Sequence, residues 1–281
     1  MAVAKTNNKK SLIIKIVKWL FIIAICIIML FPIFWTITGS FKTSTQLYSE
    51  NPVWLTMPNL QGFKNAIDIA NMGKLFINSL IVAVGTCVIS LIFGSMAAYV
   101  LSRYNFVGVK LIPLFFLFFR MVPRITLLFP FFIMLNKVNL MDTHLGLILS
   151  HSSFTLPFAV WVMMSFFQDL PDSLEDAAKI DGCNLFQTYY KIFVPLVAPA
   201  FAALGILEFT FSWNEYLYAS VITRSNALTL PTGISNLMVE HRVLWPELFS
   251  MATVIAIPAL LLVIFAQRYI VSGLSFGAVK G

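Results

Sequence analysis

The chain has 281 residues, of which 59% are apolar, 15% aromatic and only 11% charged, with a formal net charge of +7. That balance excludes a soluble globular class and fits a polytopic membrane protein. No basic stripe with interleaved aromatics occurs in a soluble segment, so the positive charge reports membrane topology and gives no support to a nucleic-acid partner.

A basic run (Lys5, Lys9, Lys10, Lys15, Lys18) leads into the first apolar stretch, 13–36. It outruns a secretion-signal core and has no small-x-small cleavage site before Pro32, so it reads as an uncleaved signal anchor. A polar, turn-rich loop over 38–72 follows. Stretches of about twenty apolar residues, enough to cross a bilayer core, then lie at 75–101, 111–135, 145–167, 194–213 and 249–268. The expectation is an all-α protein with six transmembrane helices. With the N-terminus inside, Arg103, Lys110, Lys179, Lys191, Arg268 and Lys280 join the five N-terminal lysines in the cytoplasm, against Lys42, Lys64, Lys74, Lys137, Arg224 and Arg242 outside. This bias places both termini and the loop 168–193 in the cytoplasm.

In the second span Thr86, Ser90, Gly94 and Ala98 recur every four residues and predict a close-packing face. In the third, Arg120 and Arg124 share one helix face, and each costs about 2.5–3.5 kcal/mol at mid-membrane unless it meets a partner or water. Pro123 between them removes a backbone hydrogen bond and predicts a kink. Glu208 on the fifth span lies at a depth comparable to Arg124, so an intramembrane ion pair is expected, either as a bridge between helices or as a polar wall of a substrate pathway. Trp19, Trp35, Tyr104, Trp213, Tyr216 and Tyr269 fall near span ends, as an aromatic belt requires. Cys26, Cys87 and Cys183 and the dispersed His144, His151 and His241 form neither a disulfide framework nor a metal-ligand pattern.

Between the fourth and fifth spans the sequence turns polar. Pro171 suits a first helical turn, and Asp172, Glu175 and Asp176 crowd the positive end of the helix dipole. Leu174, Ala177 and Ala178 fall on one face, and Gly182 ends the helix in the left-handed region. Asn184, with Gln187 three residues on, caps a second short helix. An ordinary amphipathic surface helix accounts for the caps but not for the spacing from Gly182 to Pro195.

That spacing resembles the EAA loop of permease subunits in binding-protein-dependent ABC importers: Glu-Ala-Ala, three residues, Gly, nine residues, Ile-x-Leu-Pro. Here it is written Asp176-Ala177-Ala178, Gly182, Ile192-Phe193-Val194-Pro195, with Asp in place of Glu and Val in place of Leu. The resemblance implies a type I ABC importer permease fold with its core at 73–270. An N-terminal segment, 1–72, carries the first span, and a tail follows at 271–281. It implies that Glu175, Asp176, Ala177, Ala178, Asp181, Gly182 and Pro195 belong to a loop that docks on an ATPase subunit. The segments Pro130-Phe131-Phe132, Leu140-Met141-Asp142-Thr143-His144, Trp213-Asn214-Glu215-Tyr216 and Leu228-Thr229-Leu230-Pro231 are similar to the carbohydrate-importer branch, which includes the smaller membrane subunit of the maltose importer. That likeness makes Val279, Lys280 and Gly281 a second candidate ATPase contact; the bland reading is a frayed terminus.

What the resemblance implies is a non-catalytic subunit in a bacterial inner membrane. It would pair with a homologous permease chain, two ATPase subunits that hold ATP and Mg, and an extracytoplasmic solute-binding protein, and would bind no cofactor or metal itself. The chief rival is an ion-gradient-driven secondary transporter with Arg120, Arg124 and Glu208 as relay, which leaves the loop spacing unexplained. A channel or scaffold subunit is the second rival, and would pass substrate without ATP.

Overall fold

The computed structural model describes residues 4–54, 56–239 and 242–278. Helices run in the order α1 (Ala4–Gly39), α2 (Ser44–Leu47), α3 (Gln61–Ala70), α4 (Met72–Arg103), α5 (Leu111–Met121), α6 (Arg124–Lys137) and α7 (His144–Gln168). They continue as α8 (Ser173–Ile180), α9 (Leu185–Thr188), a π-helical turn over Tyr189–Phe193, α10 (Val194–Leu196), α11 (Ala198–Trp213), α12 (Leu217–Ile222), α13 (Leu230–Ser235) and α14 (Trp245–Ala278). Two two-residue strands, β1 (Met238–Val239) and β2 (Arg242–Val243), pair antiparallel just before α14. The fold is all-α in substance. Four helices carry a membrane-length apolar stretch: Ser11–Gly39, Met72–Arg103, His144–Gln168 and Trp245–Leu262. Two helix pairs reach that length only together: α5 with α6, bent by 97°, and Leu185–Leu196 with α11, bent by 81°. Counting each bent pair as one span gives six.

The chain divides into two compact units. The first holds the described residues through Ala70 together with Leu237–Val254. From Trp19 on, its α1 is apolar all round and mostly exposed, the surface of a helix made for lipid or for another chain. The stretch 38–72, read from sequence as loop, contains α2 and α3. Thr43 and Gln46 close a capping box on α2. α3 seats Gly62 against the start of α14, where an added Cβ would stand 2.8 Å from the Pro246 carbonyl. Asn65 then donates to Glu247 Oε1 at 2.7 Å. Trp35 stacks edge-on to Trp54, and its other contact is Lys42, whose ammonium sits 4.0 Å from the ring centre.

The second unit, Asn71–Asn236 with the residues from Ile255 on, is built on α4 packed along α7, with α11 against both. Small residues make that approach possible. Ser90 and Thr155 hydroxyls meet at 2.6 Å, and an added Cβ on Gly94 would fall 2.5 Å from Ala159 Cβ. Thr86, Ser90, Gly94 and Ala98 are all buried on this seam, the face expected from their four-residue spacing. At one end of the seam Tyr99, Phe167, Tyr189 and Phe193 form a buried aromatic cluster, with Tyr99 and Phe193 ring centres 5.0 Å apart. At the other end Val82, Leu128, Leu147, Tyr218 and Ile222 make a second core. Trp213, expected in an interfacial belt, instead belongs to the interior. Its indole donates to the Ile255 carbonyl at 3.0 Å and its ring stacks on Phe209, so burial costs it no hydrogen bond.

Candidate functional site

The polar loop between α7 and α11 folds as its composition dictates. Glu175 and Asp176 occupy the first turn of α8. Gly182 takes φ +76°, where an L side chain is strained, and the Cys183 amide bonds back to the Ala178 carbonyl at 2.9 Å. Asn184 and Gln187 cap α9 reciprocally at 2.9 Å. Pro195 lies at the start of α10, just ahead of the bend at Val197. One face differs from the sequence expectation. Ala178 is buried and Leu174 partly so, but Ala177 is exposed and Glu175 takes the inner position. The carboxylate is accommodated there because the Tyr104 hydroxyl bonds it; burial first, and then that bond, raise the Tyr104 phenol above its ordinary range. Lys179 Nζ adds a contact at 3.5 Å. Asp176, Ala177, Ile180 and Asp181 face outward from α8, continued by Leu185 and Phe186 on α9.

A clamp holds this loop to the membrane helices. Arg103, the last residue of α4, donates to Asp172 Oδ1 at 2.5 Å, to the Leu170 carbonyl at 2.7 Å and to the Phe167 carbonyl, with its guanidinium 4.9 Å from the Phe193 ring centre. One side chain thus ties the ends of α4 and α7, the turn before α8 and the π-helical turn. In the sequence Arg103 signals only topology, because an arginine at the end of an apolar span looks like any positive-inside charge.

The second place of interest is the break between α5 and α6. Val122 is extended (φ −66°, ψ 126°), as a residue before proline prefers, and Pro123 cannot supply the amide that would continue the helix. The break turns both arginines towards α7, where Phe154 and Phe158 stand one helical turn apart. Arg120 lies 3.9 Å from the Phe158 ring centre and Arg124 4.0 Å from that of Phe154. These groups, with Phe119, Ser153, Phe211 and Tyr218, line a cavity of about 120 Å³.

The expected ion pair of Arg124 with Glu208 is not formed. Gly205, Glu208 and Ser212 share the α11 face turned to the seam of α4 and α7: the Gly205 carbonyl accepts from Cys87, Glu208 lies near the same cysteine, and Ser212 bonds His151. Glu208 is wholly buried and neither carboxylate oxygen has a hydrogen-bond partner. Equal depth along two helices did not imply facing sides. Val279, Lys280 and Gly281 lie outside the described residues, as does His241.

Two polar networks escaped sequence reasoning. His151, fully buried on α7, meets Ser212 at 2.7 Å through Nδ1 and Glu215 at 3.3 Å through Nε2, while Glu215 caps α12 by accepting from the Tyr218 and Ala219 amides. Asp142 accepts from the amides of Arg224, Ser225, Asn226 and Ala227 at 3.0–3.2 Å, and His144 reaches Asn78, whose amide bonds the Asn226 and Leu228 carbonyls. Burial pushes the Asp142 carboxyl up, but those backbone donors outweigh it and hold it well below its ordinary range.

Residues 90–276 match the family described as binding-protein-dependent transport system inner membrane component. The chain is 34% identical over 267 residues to the arabinooligosaccharides transport system permease protein AraQ of Bacillus subtilis (strain 168), covering 93% of this chain and 94% of that one. It is 36% identical over 261 residues to the trehalose transport system permease protein SugB of Mycobacterium tuberculosis (strain CDC 1551 / Oshkosh), covering 90% and 93%. Its fold is similar to a chain in the crystal structure of a bacterial ABC transporter involved in the import of the acidic polysaccharide alginate, with a TM-score of 0.76 at 22% identity over 92% of this chain and 97% of that one.

Proposed function

This chain belongs to the family of binding-protein-dependent transport system inner membrane components, and on that premise we propose that it forms half of the translocation pathway of an ATP-driven carbohydrate importer. Its partners are a homologous permease, two ATPase subunits that hold ATP and Mg, and an extracytoplasmic solute-binding protein. Both termini and the loop 168–193 face the cytoplasm. The relatives are named for arabinooligosaccharides and trehalose, which supports a sugar, oligosaccharide or polyol as cargo.

The observation that carries this reading is the loop itself. Two short capped helices present Asp176, Ala177, Ile180 and Phe186 outward, while Arg103 holds their base to α4 and α7. Such a lever passes force in both directions: closure of the ATPase subunits swings the loop, and the seam of α4, α7 and α11 opens the pathway to one side at a time. Arg120 and Arg124 line that pathway. An ion-driven transporter would need Glu208 beside the arginines as a relay, and the carboxylate lies elsewhere.

The test is stimulation of ATPase activity by loaded binding protein in the reconstituted complex. Gly182→Pro and Asp176→Lys are expected to abolish stimulation while the subunit still inserts and assembles. Full stimulation in both variants rules out this loop as the coupling site.

A further inference from the structure

Taking the carbohydrate-importer reading as its basis, we propose that the pathway admits an anionic carbohydrate, a uronate or similarly acidic glycan, whose acid group is received by Arg120 and Arg124. The cavity at the break between α5 and α6 holds two guanidiniums and no carboxylate. The carboxylates of the neighbouring helices are accounted for. Glu215 is engaged by His151 and the α12 amides, and Glu208 lies near Cys87 of α4 and pairs with neither arginine. Among the described residues neither arginine has an ion pair, and each other's charge is a nearby unfavourable one.

Each guanidinium carbon sits over a ring, and among the described residues neither guanidinium spends an N–H on a hydrogen bond, so the edges that take a carboxylate in a forked pair of hydrogen bonds are available. Arg124 is also the first residue of α6, so the positive end of that helix adds to the field instead of cancelling it. The remaining lining suits a sugar ring: aromatic faces for its C–H surface and the Ser153 and Tyr218 hydroxyls for its own hydroxyls. A pathway for neutral sugars gains nothing from two uncompensated cations. A pathway for acidic ones is electrically balanced only while cargo passes.

The experiment uses the whole importer in proteoliposomes, with binding protein outside and ATP inside. The probes are trisaccharides of galacturonate, mannuronate, guluronate and glucuronate, the fully methyl-esterified form of each, and maltotriose, arabinotriose and trehalose. The expected result is ATP-dependent uptake of at least one acidic probe, about tenfold or more faster than its ester. Arg120→Gln and Arg124→Gln should each cut that uptake about tenfold, and Arg124→Lys, which keeps the charge but not the fork, should cut it less than Arg124→Gln. Uptake of neutral probes alone, or acidic uptake indifferent to both glutamine variants, overturns the inference and leaves the importer reading standing. Glutamine variants that fail to assemble with the partner permease place the arginines against a carboxylate of that chain, which also overturns it. ATP-dependent uptake of no carbohydrate removes the importer reading itself.

Discussion

Replacing Arg103 by methionine keeps the aliphatic stem but deletes every bond of the clamp beneath the coupling loop. The guanidinium belongs to a side chain only 3% exposed, and it donates to the Leu170 and Phe167 carbonyls. A hydrogen bond from a charged donor contributes about 1.5–3 kcal/mol, so these two account for about 3–6 kcal/mol of local stability. The bond to Asp172 adds at most about 1 kcal/mol, because that carboxylate side chain is 96% exposed and water competes for it. At about 1.4 kcal/mol per factor of ten, the variant should raise opening of the loop by about 10² to 10⁴. Hydrogen exchange read by mass spectrometry on the assembled complex measures this directly at the amides of Asp181 and Cys183, which close the end of α8. Asp172→Asn should raise exchange there by less than about tenfold. If Arg103→Met leaves exchange unchanged, or Asp172→Asn matches it, the clamp does not hold the loop.

Gly94→Leu should drive α4 from α7 at a cost of about 1–3 kcal/mol, seen as loss of monodisperse subunit after purification, whereas Gly73→Ala, with nothing within 4 Å, should be neutral. Asp142 has a folded-state pKa below its unfolded one, so its contribution is complete above the ordinary carboxylate range and lost as pH falls through the folded value. Melting of the purified complex should therefore show an acid-induced loss below about pH 4 that Asp142→Asn lacks, and identical pH profiles would discount the loop anchor. Because Arg124 and Glu208 do not meet, Arg124→Met and Glu208→Gln should affect the yield of assembled complex additively. Replacing the unpartnered Glu208 carboxyl by an amide should be tolerated or beneficial; a double mutant that rescues either single one would restore the pair.

The spans were legible because apolar length is a one-dimensional property, and so was the cap of α9, whose partners Asn184 and Gln187 lie three residues apart. The small-residue face of α4 was readable from its period for the same reason. Side-chain partnership across helices was not. Depth along the chain puts Arg124 and Glu208 level, yet the 97° break and the azimuth of α11 send them to different seams. Trp213 looked like a span-end residue and His151 like one of three dispersed histidines; both proved to be buried and bonded, because their partners, Ile255, Ser212 and Glu215, lie far along the chain. Glu175 shows the limit within a single helix: a face count favours Ala177 inside, until Tyr104 supplies the donor that makes burying an acid tolerable.

The eleven residues of α5 rise about 16 Å, roughly half of a hydrocarbon core about 30 Å thick, before the break redirects the chain. Neither α5 nor the fourteen-residue α6 can match a bilayer by tilting, as a straight span does. Their fit to the membrane is set instead by the angle at Val122 and Pro123, a hinge that lies beside both arginines. Acyl-chain length is therefore expected to bear on the cavity through the angle of this elbow, where a straight span would answer it by tilt alone.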